Sequence, residues 1–192
     1  MRPRHPCRGH DAAWLSATGS LSARLQRARP PLAVQRLHQG VTAATPHERA
    51  VLGQVRVHGR WVLLTGAGQP MVFARSAVRL SAAHGPWQAI RGLGTRPLAD
   101  VLFSRADVRR SALAVAWLPP RHAEARQMAR VWQAAGEVPP RGVWRRHSVF
   151  WRADEPLIVS EYFAPQALQA WPAALGVGWH SHLVWQPRKS GP

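Results

Sequence analysis

Two apolar runs, AVLGQVRVHGRWVLLTG and PMVFARSAVRL, stand on either side of Thr65-Gly66-Ala67-Gly68-Gln69-Pro70. Valine- and leucine-rich runs divided by Gly and Pro predict an antiparallel hairpin. TGAGQP is Gly-rich, but it joins strand to strand, so it is a turn and not a phosphate-binding loop, which must open a helix. VWRRHSVFWRADEPLIVSEYFAP predicts a second hairpin, turning at Ala153-Asp154-Glu155-Pro156, and SALAVAWLP reads as a further strand. DAAWLSATGSLSARLQRA predicts a helix in two pieces, the second capped by Ser20 and ended by Pro30 and Pro31. A variable stretch follows. LGTRPLADVLF predicts a short helix with Thr95 as cap and Pro97 early in it. Between Pro119-Pro120 and Pro139-Pro140, the spacing of Met128, Val131, Trp132 and Ala135 predicts another helix. This order describes one α+β domain built on an antiparallel sheet.

Charge inside these strands is the informative anomaly. A symmetric register across the first loop sets Leu64 opposite Met71, Val62 opposite Phe73 and Arg60 opposite Arg75, all on one face. Like charges directly opposite each other destabilise a sheet, and arginine cannot escape by losing a proton. An anion is expected between them. Glu161 interrupts the apolar run of the last strand and shares a face with Leu157, Val159 and Phe163. One reading is an internal Arg–Glu ion pair. The other is a cavity in which two arginines bind a small dicarboxylate and Glu161 faces its polar opposite end, because one carboxylate cannot balance two guanidiniums in a dry site. The helix starts at Ser20-Leu21 and at Thr95-Arg96-Pro97-Leu98 offer backbone N–H donors to the same anion.

Composition removes several classes. At 192 residues, 46% hydrophobic and with ten tryptophans, the chain has the makings of a packed core rather than a disordered segment. It shows no internal repeat. No stretch approaches the roughly 20 apolar residues of a membrane span. The start, MRPRHPCRGHDAAW, has no apolar signal core, which predicts a cytoplasmic protein. A single cysteine, Cys7, excludes an internal disulfide. Net charge is +17, yet the arginines are scattered through every segment, which argues against a specific nucleic-acid module. His5-x-Cys7-x-x-His10 lacks a second ligand cluster and His180 with His182 lacks a third ligand, so no metal is expected. Residues 1–10 read as a flexible start, 11–168 as the domain, with a helical insertion around 119–140 that is either a lid or a surface helix. Residues 169–192 read as a tail whose Trp171, Trp179 and Trp185 cover an apolar edge or meet a membrane surface.

RWVLLTGAGQP followed by FARSAV, then LGTRPLADVLF, then VWRRHSVFWRADEPLIVSEYFAP resemble successive blocks of the chorismate lyase family, and WLSATGSLSARL resembles its N-terminal helix pair. The resemblance covers roughly residues 12–165, interrupted over 105–140. It implies a six-stranded antiparallel sheet with helices packed over an enclosed ligand cavity. It also implies a carbon–oxygen lyase that converts chorismate to 4-hydroxybenzoate and pyruvate for ubiquinone biosynthesis, as a monomer without cofactor or metal. By matching motif, Arg60 binds the ring carboxylate and Arg75 is the second arginine of the site. Glu161 faces the ring hydroxyl, and Leu98 and Leu21 give main-chain contacts. Ala74 stands where the family pattern has glycine. The rival reading is a non-enzymatic effector-binding domain for small carboxylates, since repressors use the same fold to sense ligands. Such repressors carry an N-terminal DNA-binding domain, for which the residues before the first strand are too few.

Overall fold

The computed structural model describes residues 9–165 and residue 168. His5, Cys7 and the 169–192 tail with its three tryptophans and two histidines therefore lie outside the described residues. The helices are α1 (Gly9–Leu15), α2 (Leu21–Ala28), α3 (Pro46–Leu52), α4 (Ala99–Leu102) and α5 (Ala123–Ala134). The strands are β1 (Leu32–Ala43), β2 (Arg56–Gly66), β3 (Gln69–Val78), β4 (Arg109–Arg110), β5 (Ala114–Leu118), β6 (Val143–Arg152) and β7 (Glu155–Phe163). All pairings are antiparallel, in the order β1-β2-β3-β7-β6-β4, with β5 also on β6. The sheet thus has seven strands instead of the expected six. Two short strands share one edge of β6: β5 pairs with His147 to Val143, and β4 with Trp151 and Phe150.

Two elements went unread in the sequence. β1 alternates only weakly between partly covered and exposed positions, because an edge strand buries little, and so it looked like a variable stretch. α3 lies where the first strand was expected to begin. Thr45 accepts from the Glu48 N–H while the Glu48 carboxylate accepts from the Thr45 N–H, Pro46 opens the first turn, and Gly53 closes the helix at φ 67°. That is a complete set of helix start and stop signals. The Ser20 cap is present, accepting from the Ala23 N–H at 3.2 Å. Thr95 does not cap; α4 begins later, with Leu98 at the cap position and no side-chain cap.

The first hairpin departs from the symmetric register. Gly66 pairs with Gln69 and Thr65 with Pro70, but Leu64 pairs with Val72, so Met71 is an extra residue. Pro70 has no N–H for the ladder, and bulges are where strands tolerate proline. From there on the partners shift by one. Arg60 lies opposite Ser76, and Arg75 lies opposite Trp61. Arg60 and Arg75 are therefore on opposite faces, and the expected side-by-side pair does not exist.

Each face of the sheet carries apolar clusters with a polar belt between them. On the Arg60 face, α1 and α2 pack through Trp14, Leu15, Leu21 and Leu25 onto Val62, Leu64, Val72 and Phe163. At the other end of that face, Trp87, Ile90 and Leu102 pack onto Val78, Phe150 and Leu157. On the Arg75 face, α5 packs through Ala125, Met128 and Trp132 onto Leu63, Phe73 and Tyr162, and Leu52 of α3 packs onto Val57, Ala77 and Ile158. The 119–140 helix is therefore on the face away from Arg60.

Candidate functional site

Between the two clusters on the Arg60 face lies a small cavity of ≈ 60 Å³. It is a narrow slot. Arg60 of β2, Glu161 of β7, Leu21 at the start of α2 and Leu98 before α4 all line it. Arg110 and Ser148 line it as well.

Arg60 is only 2% exposed. Its guanidinium donates to the carbonyls of Gly94 at 3.1 Å and Arg96 at 2.9 Å. Gly94 sits at φ 56°, a left-handed conformation that favours glycine. No carboxylate pairs with Arg60 among the described residues, and its Nε is buried without a partner. Burial, and secondarily Arg36, pulls its pKa below the ordinary value. A guanidinium nonetheless stays charged at neutral pH, so the site holds a buried cation with no internal counter-charge.

Glu161 lies directly opposite Arg146 in the β6–β7 ladder, and Arg146 Nε donates to Glu161 Oε2. Arg146 is 1% exposed and also donates to the carbonyls of Trp14 and Ala17, both at 3.0 Å. It thus ties the C-terminal end of α1 to the sheet. Glu161 Oε1 has no hydrogen bond among the described residues, which leaves it free to accept one from a ligand. Arg146 was legible. The two-residue turn Ala153-Asp154, both at positive φ, pairs Arg152 with Glu155 and so Arg146 with Glu161. Arg110 was not, because a two-residue strand has no periodicity to read.

Arg75 borders the cavity as part of β3, but its guanidinium is engaged on the other face. It pairs with Glu48, with one bond at 2.8 Å, donates to the Ala43 carbonyl at 2.7 Å, and lies 5.0 Å from the Trp61 ring centroid. Arg145 and Tyr162 both bond Glu124 nearby, at 3.1 and 2.8 Å. For Arg75 the internal ion pair is the correct reading, with Glu48 in place of Glu161. Among the described residues no group of three metal-ligating side chains converges.

The chain is an α+β domain whose sheet and helices close over a cationic slot. The solved structures similar to it share that fold: the effector domain of PhnF from Mycobacterium smegmatis (TM-score 0.55, 16% identity, 77% of this chain and 90% of that one), and the C-terminal domain of the histidine utilization repressor from Pseudomonas syringae pv. tomato (TM-score 0.51, 9% identity, 71% and 93%). The chorismate lyase family profile matches residues 10–171. A protein of Albidiferax ferrireducens named "Probable chorismate pyruvate-lyase" is 42% identical over 174 residues, 88% of each chain. One of the same name from Thiobacillus denitrificans is 40% identical over 161 residues, 81% of this chain and 82% of its own. The chain belongs to the chorismate lyase family.

Proposed function

We infer that the protein is a chorismate–pyruvate lyase, a carbon–oxygen lyase that releases 4-hydroxybenzoate for ubiquinone biosynthesis. The observation that carries this reading is the buried Arg60 guanidinium, unpaired by any described acid and facing a slot that also holds the Glu161 carboxylate. Chorismate is a ring with a carboxylate at one end and a hydroxyl at the other. Arg60 binds the ring carboxylate, and Glu161 Oε1 accepts from the ring hydroxyl. Leu21 and Leu98 add main-chain contacts along the ring.

The reaction removes the ring hydrogen beside the hydroxyl as a proton. The carbon–oxygen bond to the enolpyruvyl group breaks with its electron pair going to oxygen, and the ring becomes aromatic. The released enolpyruvate takes up a proton to become pyruvate. Aromatisation supplies the driving force, which leaves the protein to position the ring and stabilise developing charge. The enzyme acts as a cytoplasmic monomer. Among the described residues no helix is long and apolar enough to cross a membrane.

Incubation of the purified protein with chorismate, following 4-hydroxybenzoate by absorbance and pyruvate by a coupled assay, tests this. Equimolar appearance of both products is expected. Stoichiometric binding without turnover would instead make the chain an effector-binding domain.

A further inference from the structure

Chorismate has two carboxylates, and Arg60 accounts for one. We propose that Arg110 binds the second, the carboxylate of the enolpyruvyl group, and that Ser148 is the positioning residue that orients its guanidinium. This deepens the lyase reading and rests on it.

Arg110 belongs to β4, opposite Phe150 in the ladder, and lines the cavity. Its Nε donates to Ser148 Oγ at 3.0 Å, and its guanidinium carbon lies 5.2 Å from the Phe150 ring centroid and 5.9 Å from that of Phe103. One hydrogen bond and two aromatic rings hold the group. Its terminal nitrogens make no hydrogen bond or ion pair among the described residues, so its forked face is available for a carboxylate. Phe103, 48% exposed, places this end of the slot next to solvent.

Charge balance points the same way. In the cavity belt Glu161 pairs with Arg146 and also attracts Arg110, so one carboxylate stands against the guanidiniums of Arg146, Arg60 and Arg110 and a net charge of about two remains uncompensated. On the opposite face Arg75 is matched by Glu48, and Arg145 by Glu124. That belt is closed and neutral; the cavity belt calls for a dianion. Elimination turns one dianion into two monoanions. Arg60 keeps the charge on the aromatic ring, and Arg110 keeps the charge on the departing three-carbon fragment, whose oxygen gains electron density as the bond breaks. Arg75 cannot take this part, because its guanidinium is paired with Glu48 on the other face of the sheet.

Kinetics of Arg110→Gln, with equilibrium binding of 4-hydroxybenzoate by tryptophan fluorescence, test the assignment. Arg110→Gln is expected to lower kcat/KM for chorismate by at least ~10²-fold, the scale for losing a charged contact to developing charge. Its Kd for 4-hydroxybenzoate, which lacks the enolpyruvyl carboxylate, stays within about threefold of wild type. Ser148→Ala leaves the guanidinium unlatched and raises KM for chorismate about three- to tenfold, the worth of one hydrogen bond. That variant carries the comparison if Arg110→Gln does not fold. A kcat/KM within about threefold of wild type in Arg110→Gln, or equal losses for both ligands, overturns the assignment and leaves the lyase reading standing. An unchanged KM in Ser148→Ala overturns the positioning role. If the wild-type protein binds chorismate without forming product, the lyase reading falls, and the ratio of chorismate to 4-hydroxybenzoate Kd in Arg110→Gln still decides Arg110.

Discussion

Replacing Arg75 by methionine separates the two faces of the sheet. Arg75 is 3% exposed, and its guanidinium holds the Glu48 carboxylate and the Ala43 carbonyl. Arg75→Met keeps much of the apolar stem but strands Glu48, itself buried. Breaking a buried pair from one side costs about 3–5 kcal/mol because the remaining charge has no partner. A domain of ordinary stability has roughly 5–15 kcal/mol in total, so this is a large fraction of it. With a urea slope of about 1–3 kcal/mol per molar, the unfolding midpoint should fall by on the order of 1–5 M. Glu48 also accepts from the Thr45 N–H at 2.8 Å, so its disturbance loosens the α3 cap as well. Adding Glu48→Met removes the stranded charge and should recover part of the loss, since replacing both members of a buried pair with apolar groups is often near neutral. The specific activity of the folded fraction, assayed with chorismate well below the unfolding temperature, should stay within about threefold of wild type. Unchanged urea stability together with lost activity would place the Arg75 guanidinium in the site and refute the bulged register.

Arg60→Met should do the reverse: kcat/KM falls at least ~10²-fold, while urea stability moves by less than about 1.5 kcal/mol, because relief of an unpaired buried charge offsets two lost hydrogen bonds. A loss of stability like that of Arg75→Met with activity intact would remove Arg60 from the site. Glu161→Gln should lower kcat by at least ~10²-fold; near-normal turnover at saturating chorismate would dismiss the carboxylate. On the α3/α5 face, His47 and His147 stack edge to face with ring centroids 4.1 Å apart. Burial, then His47 and Arg145, pulls the His147 pKa down to about 4, and burial and Arg145 lower that of His47, with Glu124 and Glu48 opposing. The unfolded chain therefore binds more protons below its histidine pKa of about 6.5. This contribution to stability is whole above about pH 6.5 and is lost as pH falls towards 4. A urea-midpoint difference between wild type and His147→Phe that does not change over that range would refute it.

Length, alternation and turn chemistry are local properties, and they determined much by themselves. They marked both hairpins, the split N-terminal helix with its Ser20 cap, and α5. They also marked Arg60 and Glu161 as charges where alternation calls for core. α3 is equally local, written in Thr45-Pro46-x-Glu48 and Gly53. Register was not local. One extra residue at Met71 decided which face Arg75 occupies, and no count of alternating positions detects a bulge that depends on how the turn packs. Arg110 became part of the site only through long-range pairing, because a two-residue strand takes its direction from β6. The same is true of the cavity's charge: which arginines are cancelled and which are left waiting for a ligand depends on distances across the sheet, and these exist only once it has folded.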